Sequence, residues 1–214
     1  MSKIICGIDD CTRAPVLGSL ICCGFGISEE KLPILDELGV RDSKELTHNQ
    51  ILKLGLKLKE IADKVVIHHI TAKQISTGEN LNDLECRAYC EIIKTIPAKH
   101  YYINNFDHDD EHFFTRAKIL GYNLNKSKII LGHNNENEFK VIAAASIIAK
   151  AESIWEYRLY KDTFEFDFGW GSPSDPKTIE FLKKFKDDPR AENFIRWNWK
   201  TIKRVLGDKY FKGR

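Results

Sequence analysis

Two adjacent carboxylates, Asp9 and Asp10, follow the apolar run Lys3-Ile4-Ile5-Cys6-Gly7-Ile8 near the start of this 214-residue chain. The run is rich in β-branched residues and predicts a strand, with the acidic pair where that strand runs out. Carboxylates at the end of a buried strand are costly unless a positive charge neutralises them. Hard divalent cations such as Mg²⁺ suit such oxygen donors and keep several waters of their own. An acidic turn between two hairpin strands accounts for the same two residues without a metal.

Other groupings bear on that choice. Val141 to Lys150 is apolar nearly all round and predicts a buried helix, whose three alanines let its backbone approach a neighbour closely. Ser146 and Lys150 are its polar groups, four apart on one face. A hydroxyl and an ammonium so placed suit a phosphate, although a serine satisfying a helix contact is an equal reading. From Lys183 to Arg214 there are 11 Lys or Arg against 4 Asp or Glu, with Trp197 and Trp199 among them. Basic residues interleaved with aromatics suit a phosphate backbone, and they also suit a solvated helix face. Cys86 and Cys90 share a helix face, where core packing is expected over metal ligation. His68 and His69 lie on an expected strand and so point to opposite faces.

The elements that must position these groups follow from periodicity. Val16 to Ile27 predicts a second strand and Glu29 to Leu38 a short helix. Thr47 caps a helix to about Ala62, with Ile51, Leu54, Leu58 and Ile61 at helical spacing. Val65–Ile70, Tyr101–Asn104 and Lys128–Leu131 read as three more strands, and Asn82–Ile96 and Asp109–Leu120 as helices. Beyond Val141 the chain reads as helical, with a turn at Gly169–Pro176 and Ser174 or Asp175 capping Lys177–Phe185. Strands in hairpin succession, then alternating with helices, predict an α/β sheet. At 43% hydrophobic and 30% charged residues the chain has a globular composition. No apolar run is long enough to span a bilayer, and Met1-Ser2-Lys3 shows no signal-peptide pattern. The six cysteines are expected to be reduced, in an intracellular setting.

Six stretches together carry a family resemblance: Gly7–Leu20 (GIDDCTRAPVLGSL), Arg41–Lys44 (RDSK), Asn80–Glu85, Val141–Lys150 (VIAAASIIAK), Phe168–Thr178 and Arg196–Thr201 (RWNWKT). In this order, over essentially the whole chain, they resemble type 2 ribonuclease H (ribonuclease HII), in its archaeal form. The resemblance implies a ribonuclease H-like α/β fold, a mixed five-stranded sheet with flanking helices and a C-terminal helical extension. It implies a catalytic domain over 1–165 and a basic, substrate-binding helical region over 166–214. The implied activity is endonucleolytic hydrolysis of RNA in RNA–DNA hybrids or ribonucleotide-containing duplex DNA. Two Mg²⁺ or Mn²⁺ ions held by four carboxylates would activate water for attack on the phosphate 5′ of the ribonucleotide. A cytoplasmic monomer without membrane contact is expected.

Carried over position by position, the catalytic and metal-binding set is Asp9, Asp10 in place of a glutamate, Asn104 in place of an aspartate, and Glu136 in place of an aspartate. Asn104 keeps an oxygen donor without the charge, and Asp107 is an alternative ligand nearby. Thr12, Arg13 and Ala14 occupy a glycine–arginine–glycine turn that meets the ribose 2′-OH, with both glycines replaced. Ser172 stands where the family stacks a tyrosine on the nucleotide. Lys44, Ser146, Lys150 and Arg196 are the implied phosphate binders. These departures also fit a second reading, a hybrid- or duplex-binding protein that kept the fold and lost the chemistry.

Overall fold

The acidic pair is strand and not turn. In the structure, a computed structural model describing residues 3–132 and 139–213, β1 (Ile4–Cys11) runs through both residues. It pairs antiparallel with β2 (Leu20–Ser28), placing Asp9 opposite Cys23 and Asp10 opposite Cys22. The expected second strand therefore starts at Leu20 and not at Val16, because residues 16–18 bond elsewhere. The Val16 N–H donates to the Gly171 carbonyl and the Gly18 N–H to the Phe194 carbonyl, each at 2.8 Å, while Leu17 forms an isolated bridge with Ile195.

β2 pairs antiparallel with β3 (Lys64–Ile70). On its other side β1 pairs in parallel with β4 (His100–Asn104), which pairs in parallel with β5 (Ile129–Gly132). The sheet order β3-β2-β1-β4-β5 puts the acidic strand at the centre.

Eight α-helices are described: α1 (Leu32–Glu37), α2 (His48–Ile61), α3 (Ala72–Ile75), α4 (Leu81–Thr95), α5 (Asp110–Ile119), α6 (Lys140–Phe164), α7 (Pro176–Phe185) and α8 (Lys200–Leu206). Local chemistry sets several of their starts. Thr47 and Gln50 form a reciprocal capping box, and Asn80, Asp109 and Asp175 each accept an N–H of the helix they open. The four-residue α3 escapes the hydrophobic period because it is about one turn long. Its Thr71–Gln74 capping box is the local signal that marks it.

Period-two alternation divides β1 and β2 between two cores. Ile5, Ile21, Cys23, Phe25 and Ile27 face α1, α2 and α6, whereas Cys6, Ile8, Leu20 and Cys22 face α4 and α5. Cys86 and Cys90 pack in the second core, and all six cysteines are free thiols. A third, aromatic-rich cluster joins the outer half of α6 to the C-terminal helices through Phe164, Phe168, Phe181 and Phe194. The basic tail is thus built into the fold. Trp197 is buried, and Trp199 donates its indole N–H to the Ala14 carbonyl at 3.2 Å. No helix among the described residues is long and apolar enough to cross a membrane.

The contact that fixes the site is that of α6 on β1. A Cβ on Gly7 would fall inside the Val141 carbonyl group, so helix and strand meet backbone to backbone. Ala143, Ala144 and Ala145 are fully buried just beyond. Gly7→Ala is therefore expected to destabilise the protein by about 3 kcal/mol, the upper range for overpacking, since a carbonyl cannot swing aside as a side chain can. Denaturant unfolding checks this, and an unchanged midpoint would show that α6 can lift without penalty.

Candidate active site

Because side chains alternate along β1, the adjacent acids point to opposite faces of the sheet. Asp9 faces α6 and is 2% exposed. Its carboxylate accepts from the Asn104 side-chain amide at 2.8 Å, from the Ser146 hydroxyl and from the Asp10 backbone N–H. Asp10 faces α4, where the Tyr89 hydroxyl donates to it at 3.4 Å. The two reach a common space only because the strand ends there. That space is a cleft of about 420 Å³ at the C-terminal ends of β1 and β4, lined by Asp9, Asp10, Asn104, Lys44, Ser146 and Lys150 among others.

Each wall has a local cause. Asn104 is the last residue of β4, brought beside Asp9 by the parallel pairing. Ser146 and Lys150 lie one helical turn apart on α6, and the Ser146 hydroxyl is 3.0 Å from that of Ser43. The Asp42 side chain accepts the Lys44 N–H at 2.9 Å, which shapes the short turn carrying Ser43 and Lys44 into the cleft.

Burial, and then the negative charge of Asp10, push the Asp9 carboxyl from its ordinary 3.8 up to about 8, against the hydrogen bonds from Asn104 and Ser146. A buried carboxylate beside a second one, with only neutral donors against it, is an arrangement that a bound cation relieves. The donors converging here are oxygens, the hard set that Mg²⁺ and Mn²⁺ take. Asp9, Asp10 and the Asn104 amide oxygen therefore fit a divalent metal. Glu136, the fourth expected ligand, lies outside the described residues.

Several expected residues sit elsewhere. Asp107 is no replacement ligand: Arg116 holds both its oxygens at 2.8 and 3.0 Å, and Asn82 donates to it as well. Arg196 does not face a phosphate. Its guanidinium is fully buried and donates to the Gly18, Arg13 and Thr12 carbonyls at 2.7–2.9 Å. Its role is to clamp the turn that follows β1.

In that turn Thr12 has φ +67°, the left-handed region that favours glycine. This is the physical reason for the glycine found at this place in the resembling motif. Here the threonine hydroxyl donates to the Ser19 carbonyl at 2.6 Å and helps hold the conformation. Arg13 turns away from the cleft to pair with the fully buried Glu85 and with Asn82, its guanidinium 5.7 Å from the Phe106 ring centre. Ala14 is exposed, and Ser172 lies in a half-buried turn with its hydroxyl 3.3 Å from that of Ser174. Thr12 lines the cleft, whereas Arg13, Ala14, Ser172 and Arg196 do not.

The structure adds residues that the sequence reading passed over. Ser43 stands within the quoted RDSK stretch and could have been taken from it. His48 lines the cleft, and Trp170 packs against it with ring centres 4.3 Å apart. Neither has a sequence signal, since they meet only when α2 and the turn after α6 come together. Among the described residues one further group, His108, Asp109 and His112, could gather ligand atoms. It is exposed at the start of α5, where the Asp109 oxygen nearest His112 already caps the helix.

The central acidic strand, the sheet order and the cleft at the ends of β1 and β4 define a ribonuclease H-like fold with a carboxylate site. The crystal structure of the ribonuclease H2 from Pyrococcus horikoshii OT3 superposes with a TM-score of 0.83, at 29% identity over 97% of this chain and 98% of that one. The PCNA:RNase HII complex from Archaeoglobus fulgidus matches with a TM-score of 0.79, at 28% identity over 94% and 96% of the two chains. The ribonuclease HII of Methanocaldococcus jannaschii is 37% identical over 95% of each chain. With the Ribonuclease HII family model matching residues 6–202, the chain belongs to the ribonuclease HII family.

The position of Asp9 makes stability depend on pH with a definite sign. Its carboxyl titrates higher in the folded chain than in the unfolded one, so the folded state holds a proton that the unfolded state has released. In the metal-free protein the contribution of Asp9 to stability is accordingly fully present below the ordinary value and is lost as pH rises toward about 8. Thermal unfolding in EDTA between pH 4 and 9 should show that fall, and Asp9→Asn should flatten it. An equal slope in the variant would assign the effect to another group.

Proposed function

We propose that this chain is an endoribonuclease that hydrolyses RNA within RNA–DNA hybrid duplexes. The observation that carries the reading is the convergence of Asp9, Asp10 and Asn104 with Lys44, Ser146 and Lys150 in one cleft, in a chain of the ribonuclease HII family. When bound at Asp9, Asp10 and Asn104, with Glu136 as the further ligand, Mg²⁺ or Mn²⁺ would supply Lewis-acid activation of water and balance the charge on phosphorus. Lys44 and Lys150 supply cations for the scissile or an adjacent phosphate, and Ser146 is placed to hydrogen-bond Asp9 and hold it oriented. Of the clamped turn, Thr12 lines the cleft and would be the residue to meet a ribose 2′-OH, the group that separates RNA from DNA. With Thr12 and Ala14 in place of glycines and Ser172 in place of an aromatic, discrimination of a single ribonucleotide from a longer RNA stretch should be weak.

One observation favours the binding-protein reading. The Asn104 amide donates to Asp9, partly satisfying a charge that an aspartate there would have left for metal. The variant Asn104→Asp separates the two readings. It replaces that hydrogen bond with a like charge, so metal-free stability should fall by about 1–3 kcal/mol and recover with Mg²⁺ or Mn²⁺. Cleavage of a ribonucleotide-containing duplex should rise on the order of tenfold, as one added metal-site interaction is worth at least about 1.4 kcal/mol. Equal cleavage by both proteins at low metal would mean that Asn104 does not limit the site. If both bind the duplex and neither cleaves at any metal concentration, the chain is a binding protein.

A further inference from the structure

The outer face of α6 leaves the molecule with an aromatic ridge that the catalytic reading does not use. Trp155 is 50% exposed and Leu159, one turn on, 65% exposed. The Arg158 guanidinium lies 5.3 Å from the centre of the Trp155 ring. Trp170, 38% exposed, has the Lys161 ammonium 5.0 Å from its ring centre and is stacked on Tyr157 at 5.6 Å. Its other neighbour is His48, a wall of the cleft, so Trp170 borders the site.

The cations gather toward that junction. After its burial, the charges that hold the His48 imidazole below its ordinary range are those of Lys150, Arg158 and Lys161. Acidic neighbours offset this only in part. Asp167 pairs with Lys161 at 2.8 Å and Lys177 at 2.5 Å, leaving two cations on one carboxylate. Glu156 points inward, accepting from the Ser19 backbone N–H and hydroxyl, and Glu152 pairs with Lys59.

An exposed indole such as Trp155, with a guanidinium over its ring and further cations nearby, suits stacking a base beside phosphates more than packing an apolar partner. We propose that this ridge binds an unpaired nucleic-acid strand as it leaves the cleft, Trp155 stacking a base while Arg158 and Lys161 meet the backbone. The inference rests on the hybrid-nuclease reading for its choice of partner.

The test uses the full chain in Ca²⁺ and four labelled ligands. These are a blunt duplex carrying a ribonucleotide, the same duplex with a single-stranded extension at one end or at the other, and the extension alone. The native chain is expected to bind one of the extended duplexes about tenfold more tightly than the blunt one, the gain from about one stacked base. Tryptophan emission should be quenched on binding. The double variant Trp155→Leu, Arg158→Ala changes only exposed side chains; it should lose that preference and most of the quenching while keeping its blunt-duplex affinity.

No preference in the native chain, or an equal loss toward blunt and extended duplexes in the variant, would overturn the proposal. So would sedimentation showing a dimer of the native chain that the variant converts to monomer, because the ridge would then be a self-association face. Cleavage of the blunt duplex in Mg²⁺, measured in parallel, reports on the nuclease reading alone. Cleavage without an extension preference removes the ridge and leaves the nuclease. A preference without cleavage supports the ridge and removes the nuclease.

Discussion

The close approach of α6 to β1 governs most of what this chain can do. Helix and strand touch through backbone, at Gly7 against the Val141 carbonyl, and the run of alanines that follows keeps them close. Packing at this density transmits position with little slack. A helix held so near delivers Ser146 to hydrogen-bonding distance of Asp9, and Lys150 to the cleft one turn later. Larger residues at these contacts would raise the helix off the sheet and take the cationic wall with it.

A second constraint is electrostatic. Asp9 is buried beside Asp10 and, among the described residues, steadied by an amide, a hydroxyl and a backbone N–H, so its charge is poorly balanced without a cation. Asn104 suits that condition in the metal-free chain, donating a hydrogen bond where a carboxylate would add a third repulsion. An amide there also offers less charge to a divalent ion than a carboxylate would. Metal-free stability and metal affinity are thus opposed at this one position.

The turn beyond β1 is held from both sides. Arg196 clamps the Thr12 and Arg13 carbonyls from the C-terminal region, and the Thr12 hydroxyl ties the strained residue to Ser19. From the other side Arg13 pairs with Glu85 and Asn82, Asn82 donates to Asp107, and Asp107 is gripped by Arg116. A continuous polar network therefore links the turn after β1 to the loop that follows Asn104. Positive φ at a threonine survives only where its surroundings over-determine it, and this is such a place.

The sequence by itself determined the elements and the identity of the acids. Periodicity and caps place the five strands and most helices within a few residues, because those signals are local: the Thr47 box, the Asp109 cap, the short apolar runs of β3 and β4. Asp9, Asp10 and Asn104, together with Ser146 and Lys150, were legible as candidates from type, spacing and family resemblance. What side chains meet across the fold was not legible. Arg196 is a basic residue in a basic tail, and nothing local says that its guanidinium is buried against three carbonyls of residues 12–18. Asp107 sits three residues past Asn104, and only the return of α5 shows it bound to Arg116. The start of β2 depended on residues 16–18 finding partners near 171 and 195. Hydrogen-bond partners of high sequence separation are chosen by packing, and packing is a property of the folded chain.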